Sequence, residues 1–568
     1  MMFRFRVRPL YALIVSIVSC AAVSNLRAAD PAEGVPASAS IAIRLKAPKA
    51  TFDKLGRYAD AVQPGIGAIV QAGLPAIGGL VKNPSLQGVD VENDWWLIVF
   101  AEAGEAPSLV YVMPTTDAEA LEKAIPDDLE FHKSGTLALY SDDEDALGKV
   151  RDQLAGTGTS IWTNVDAAAK ALFDSSDLSV HVNVAQLAKE YDEELDSAEP
   201  QLNAIFEQLD QTIPDAQRSQ LAASFDLYRV MAHAGIQAIK ESQTYTLGLG
   251  ISKDALRLES VLKVQADTAT SAFLARQGTD DLALMGHLPA DQSVYVAAKG
   301  DMKSLVAWSS KMNPVIAGMT EEQKADFAVA MKKLSDLEYG VFAGYLQLEP
   351  ISGDAIRSGS ISEMAPTDTV REVSRSLGKS MSKIDKPDFS QTMTIEPAAI
   401  KIGGADVDRI TVKQEFKMKN GPGEMQNKVL EVLFGAKGMQ QMALYQPKQV
   451  LQTLGGGAKE MEKLATAAAA TTDKSSVSSI TRKRFFEQAN LITQGDLPRL
   501  ALNGAKLAIQ AKIAPDVSKK LDGLKLTPSF VSFALRCEPD ALKTQFEIPV
   551  DQARGIAQIV TIFLAGGR

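Results

Sequence analysis

Ser40-Ile41-Ala42-Ile43-Arg44-Leu45-Lys46 and Ser293-Val294-Tyr295-Val296-Ala297-Ala298-Lys299 are two alternating stretches that lie 253 residues apart. Period-2 alternation of apolar residues is the signature of a strand. Pro114-Thr115 and Pro366-Thr367 follow at an offset of 252, each ahead of a helical pattern. Ala138-Leu139-Tyr140 recurs as Ala443-Leu444-Tyr445, and Val182-Asn183-Val184-Ala185-Gln186-Leu187 as Leu502-Asn503-Gly504-Ala505-Lys506-Leu507. Asp254-Ala255-Leu256-Arg257 recurs as Asp540-Ala541-Leu542-Lys543, each in a turn between two strand patterns. Five matches in one order predict that residues 38–285 and 291–568 are two copies of one architecture.

Within each copy an alternating strand is followed by a helical stretch, a hairpin and a second helix. That order predicts an α+β fold by internal duplication, each half holding two ferredoxin-like βαββα(β) units with antiparallel sheets and helices on one face. The expected segments are 38–160 and 177–285 in the first half, and 291–465 and 480–568 in the second. Residues 389–419 read as an inserted β-meander, from the alternation in Met393–Glu396, Ala399–Gly403 and Arg409–Phe416. Residues 29–37 read as a flexible leader and 466–479, rich in Ala, Thr and Ser, as a linker.

Arg4, Arg6 and Arg8 precede an apolar run from Leu10 to Val23, so residues 1–28 read as an export signal. The run is too short to span about 30 Å of hydrocarbon, so no transmembrane helix is expected in the mature chain. Ile17-Val18-Ser19-Cys20 supports a secondary reading in which Cys20 carries a lipid anchor. The expected location is periplasmic or extracellular.

The chain has 568 residues and a formal net charge of −11. Loss of the four leader arginines leaves 55 basic against 70 acidic residues, a net charge of −15. So acidic a surface repels phosphate backbones, which disfavours nucleic-acid partners. The two cysteines, Cys20 and Cys537, allow no internal disulfide after export, and the four histidines lack ligand spacing, so neither a metal nor a cofactor is expected. The overall pattern resembles large secreted bacterial proteins with repeated strand–helix units, a group without known activity. That resemblance implies export and a repeated α+β body, and carries over no catalytic residue.

The usual catalytic spacings are missing: there is no G-x-S-x-G elbow and no zinc-peptidase helix. Gly455-Gly456-Gly457-Ala458-Lys459 has the wrong glycine spacing for a phosphate loop and reads as a turn before a helix. Asp142 to Asp145 suit the positive end of a helix better than calcium. His181, opposite in facing to Val180 and Val182, reads as a satisfied surface or interface residue with Ala501 as its counterpart. Cys537 reads as a small apolar residue in the place of Ile251.

Trp95 and Trp96 are adjacent in a strand and must face opposite ways, which predicts one in the core and one available for contact. Val62–Val81 is free of charge and interrupted by Pro64 and Pro75. It predicts a buried helix-loop-helix covering the sheet, with Ile66, Ile69 and Leu74 against Ile43 and Val99, or alternatively a hydrophobic contact site. Trp95, Trp96, Ile66, Ile69 and Leu74 are therefore the candidate contact surface. The function expected is a noncatalytic binding or scaffold role toward a protein, a polymer or an apolar ligand, and the alternative is an exported hydrolase using dispersed carboxylates. N-terminal sequencing of protein from its host should begin near Asn25 or Ala29; a start at Met1 would refute export, and a blocked Cys20 would establish lipidation.

Overall fold

The computed structural model describes residues 22–23, 34–212, 215–304, 306, 320–380, 382–385, 389–417, 422–470 and 476–566. Apart from Ala22 and Val23, the expected export signal, residues 1–28, lies outside them, and so does Cys20. The chain has an α+β fold, with extended antiparallel sheet and many helices. It divides into unit 1 (residues 1–201, 233–274 and 538–550) and unit 2 (202–232, 275–537 and 551–568).

Unit 1 is built around β2 (Ile41–Leu45), whose five residues are all buried. β2 lies between β3 (Asp94–Phe100) and β7 (Leu178–Val182). Beyond β3 come β4 (Ser108–Pro114), β6 (Leu137–Ser141) and β5 (Glu130–Ser134); beyond β7 come β8 (Ser242–Ile251), β9 (Ala255–Val264) and β20 (Ala541–Pro549). Every pair is antiparallel, and β1 (Ala22–Val23) pairs with the start of β3. One face packs Ile41, Ile43, Leu97, Val99, Tyr111 and Tyr140 under the helix Ala118–Glu122. The other packs Ala42, Trp96, Ile98, Val110 and Val112 under the helices Glu144–Leu154 and Ala167–Ser175.

Unit 2 repeats this order of neighbours. β10 (Val294–Ala298) lies between β11 (Glu338–Leu348) and β18 (Leu491–Gly495), as β2 lies between β3 and β7. β12 (Ile356–Ala365), β17 (Gln449–Leu454) and β16 (Met439–Gln446) follow β11 as β4, β6 and β5 follow β3. β19 (Val531–Glu538) follows β18 as β8 follows β7. Unit 2 then continues past β16 with β15 (Ala405–Phe416), β14 (Phe389–Ile402) and the short β13 (Lys383–Asp385). The turn between β14 and β15 is Gly403-Gly404, with φ of 58° and 85°, the left-handed pair a two-residue hairpin needs.

Register makes the correspondence residue-specific. Ile41 and Val294 occupy one place, Val182 and Gly495 another, Thr246 and Ser532 a third, at offsets of 253, 313 and 286 residues. β9 and β20 pair antiparallel with Glu259 opposite Gln545, and those two are counterparts at the offset of 286. Exchange of the two strands therefore reproduces their own register.

Several expectations need correction. In a ferredoxin-like plait another strand separates the two strands joined by the first helix, whereas β2 and β3 are direct antiparallel neighbours. The helices of unit 1 cover both faces and not one. The leader is already fixed at Val35, which is fully buried and accepts a bond from Ile161 N. The first residues of the expected linker belong to the helix Gly457–Ala469. Ala443–Tyr445 lies in β16, the counterpart of β5, although its sequence match lies in β6. Leu502–Leu507 lies inside the helix Leu497–Gln510, so register and not similarity identifies the true pair: Asn183 and Asp496, each capping the helix that follows its strand.

The inserted hairpin is tied to the body by Asp408 on β15. Its carboxylate accepts two bonds from Arg375, both 2.8 Å, and one from Ala398 N at 3.0 Å. Burial works against the charge, yet the Arg375 fork and the Ala398 N–H hold the carboxyl below its usual range. Asp408→Ala should lower the stability of unit 2 by about 2 kcal/mol, read as a lower urea midpoint, because it strips three charge-assisted bonds at once. Asp408→Asn, which keeps an acceptor for Ala398, should cost less.

Candidate functional site

The inserted hairpin is followed by the helix Pro422–Phe434, which leads into β16. That helix is held at both ends by groups of unit 2. Near its start, Asn427 bonds the backbone of Phe416 on β15: Phe416 N donates to Oδ1 at 2.9 Å and Nδ2 donates to Phe416 O at 2.7 Å. At its far end, Gly353 N and Ala355 N donate to the otherwise orphaned carbonyls of Val432 and Leu433. Gly435 leaves the helix with φ of 71°, and a Cβ there would lie 2.8 Å from Gly353 O. Only glycine fits that crossing.

Between this helix and the hairpin runs a groove of about 510 Å³, lined by Thr392, Gln414, Asn427, Leu430, Phe434 and Met439 among others. A second cleft of about 450 Å³ shares Phe434, Gly435, Ala436 and Gly438 and reaches Gly455, Gly456 and Gly457. In that glycine run Gly456 N donates to Asp354 Oδ1 at 2.9 Å, while Asp354 Oδ2 accepts from Arg357 at 2.8 Å. A carboxylate thus already occupies the place a phosphate would take, as the glycine spacing anticipates. The groove residues were not singled out by sequence; the signal available was that 389–419 has no counterpart in the first half.

The sequence candidates lie elsewhere. Trp95 and Trp96 do face opposite ways, but both are buried, because each face of the sheet is covered. Neither is open to a partner. In Val62–Val81 the structure forms a short helix, Ile66–Gln71, and a 3-10 turn, Leu74–Gly79. Ile77 packs on the core, Ile66, Val70 and Leu74 are half-buried, and Ile69 is 71% exposed. The helix is shifted outward because it rests on its neighbour Pro48–Val62 through Gly56 and Gly67, with Asp60 accepting from Gly65 N and Gly67 N. The five candidates therefore do not form one surface.

The acids at Asp142 to Asp145 begin a helix as expected: Asp143 caps it through Ala146 N, and the Ser108 hydroxyl together with that N–H holds its carboxyl low. Cys537 is buried beside Asn490, and burial pushes its thiol up to about 11. Among the described residues no three His, Cys, Asp or Glu side chains group as a metal site, and no helix is long and apolar enough to cross a membrane.

His181 departs most from its sequence reading. It is fully buried, its Nδ1 lies 2.8 Å from the Thr246 hydroxyl, and its ring packs 4.8 Å from Trp162. Its Nε2 has no hydrogen-bond partner among the described residues. Register makes Gln494 its counterpart, and that amide is satisfied by Ser478 Oγ at 2.6 Å and Ser478 O at 3.1 Å. Burial pushes the His181 imidazole down to about 4, against 6.5 in the unfolded chain. Between those values the unfolded chain binds more protons, so stability present above pH 6.5 is lost as pH falls toward 4. The loss should be on the order of 3 kcal/mol, and His181→Gln should flatten this part of the curve of unfolding free energy against pH.

No family model matches the chain, and no curated protein matches it. Among solved structures, "Structure of crystal form III of TP0453" is similar over 48% of this chain and 97% of its own, with 10% identity and a TM-score of 0.22.

Proposed function

We propose that the protein is an exported, noncatalytic binding or scaffold protein of the cell envelope or extracellular space, and that its contact surface is the groove beneath the β14–β15 hairpin. The observation that carries this reading is one of placement. Two clefts meet at Phe434, Gly435, Ala436 and Gly438, at the base of the segment that unit 2 has beyond the strand order it shares with unit 1. Function grafted onto a repeated scaffold is expected in such added segments, since the shared strands serve packing. An internal duplication, with 38–160 matching 291–465 and 177–285 matching 480–568, accounts for the common order of strands. Export rests on the charged and apolar leader.

The hydrolase alternative finds less support. Of the five carboxylates buried among the described residues, Asp177, Asp408, Glu460 and Asp496 are engaged by Ile251 N, Arg375, Tyr345 and Gln552 in turn, and the fifth, Glu547, stands opposite Arg257 in the β9–β20 ladder. Glu415 and Glu431 both line the groove and are exposed.

The test uses the mature full chain and its Leu430→Asp variant, which places a charge in the groove wall. Components of the host envelope retained by the parent should be lost from the variant at unchanged thermal stability. Identical retention by both would refute the groove as the contact surface, and turnover of a glycan or ester substrate abolished by Glu431→Gln would establish the hydrolase.

A further inference from the structure

Among the described residues, the backbone of β15 has an open hydrogen-bonding position inside the groove. In an antiparallel ladder the N–H and C=O of one residue point to the same side, and successive residues alternate sides. Phe416 turns both groups toward Asn427, away from β14. Met393 N donates to Ser382 O on the β13 side, so the odd residues of β14 face β13 and its even residues, Ser390 and Thr392, face Glu415 and Lys413. Gly455 N donates to Gln440 O on the β17 side, which leaves the odd residues of β16, including Met439, to face β15. All three assignments send the groups of Val412, Gln414 and Phe416 to one side. Val412 meets Met439, where β16 begins. Phe416 meets the carboxamide of Asn427, a side chain doing what a peptide group would do. Gln414 lies between them, lines the groove, and its backbone reaches neither strand.

We infer that the groove takes an extended peptide segment of a partner protein, which bonds the N–H and C=O of Gln414 and so continues the line of β16 along β15. This rests on the binding reading above and names the class of ligand. The choice of a peptide follows from continuity with the existing ladder, since both neighbouring positions on this edge hold amide groups in the same role. Leu430, Phe434 and Met439 supply an apolar wall for a side chain on one face of the strand. Lys413, Glu415 and Glu431 place both signs of charge at the rim, which suits a peptide carrying mixed charge over a polyanion.

A phage-displayed library of linear heptapeptides, panned on the mature full chain, should enrich a motif that does not bind the Leu430→Asp variant. Backbone N-methylation of that peptide at one set of alternate residues should weaken binding at least tenfold, and at the other set should leave it unchanged, because only alternate N–H groups face β15. Gln414→Pro should weaken it at least tenfold with thermal stability kept, because proline is tolerated where the strand N–H faces away from its neighbour. Failure of any linear peptide to enrich, indifference to the N-methylation pattern, or full binding by a folded Gln414→Pro variant would overturn the inference. The ligand-side N-methyl comparison stands even if Gln414→Pro fails to fold. If Leu430→Asp removes an envelope partner while Gln414→Pro does not, the binding reading stands and strand pairing falls. An oligosaccharide or a second copy of the chain competing at the groove would likewise replace the peptide.

Discussion

A strand covered on both faces has no side on which to leave a polar group, so whatever polar group it carries must be paired within the protein. β2 is such a strand, and Arg44 is its one charged residue. Arg44 is 7% exposed, and its guanidinium donates to Phe173 O at 2.8 Å, to Asp174 O at 2.9 Å and to Asp94 at 2.6 Å. Those two carbonyls lie in the last turn of the helix Ala167–Ser175, where the helix itself supplies no further N–H. Ser179, the neighbour of Arg44 on β7, donates to Phe173 O as well. A single charged side chain thus fixes which helix lies over the sheet and where it stops. Burial raises the Asp94 carboxyl while Arg44 lowers it, with burial the larger effect, so the pair serves placement more than net stability.

The same rule explains which parts of the fold were legible. Alternation identified β2, β3, β10 and the turns at Asp254 and Asp540, because period-2 patterning is local and survives whatever lies above the sheet. It also sent Trp95 and Trp96 to opposite faces. What alternation cannot express is whether a face is covered, and both tryptophans are buried because helices lie on each side. The two strands of the hairpin follow from alternation, whereas the thirteen-residue helix Pro422–Phe434 was not expected, and the groove between them depends on Asn427 reaching across to Phe416. No pattern along the chain marks that pairing.

Matching by similarity failed where register succeeds, and the reason is physical. Short apolar motifs such as Ala-Leu-Tyr recur wherever a strand is buried, so Ala443–Tyr445 resembles Ala138–Tyr140 while occupying the place of β5. Hydrogen-bonded neighbours are far more restrictive, since slipping by one residue turns every side chain to the other face. Under that constraint His181 and Gln494 share one position, with hydroxyls at Thr246 and Ser532 beside them. The second unit satisfies its polar residue through Ser478; the first sets an aromatic ring, Trp162, in that region and leaves Nε2 without a hydrogen-bond partner among the described residues.

The offsets then locate the differences between the units. The rise from 253 to 313 falls between β10 and β18, where unit 2 holds its extra hairpin and the helix after it. The fall to 286 lies between β7 and β8, where the first half holds the helices Asp192–Thr212 and Asp215–Lys240 and the second only Ser518–Asp522 as a separate short helix after Leu497–Gln510. Both changes sit in connections and neither in a strand of the common sheet. A strand buried on both sides tolerates no insertion, because one added residue inverts its facing, whereas a connection absorbs dozens. The strands that unit 2 has beyond the shared order lie in such a connection, and they pair with the edge of β16. β15 runs on past the last of those pairs, Val412 with Met439, and carries Gln414 into the lining of the groove.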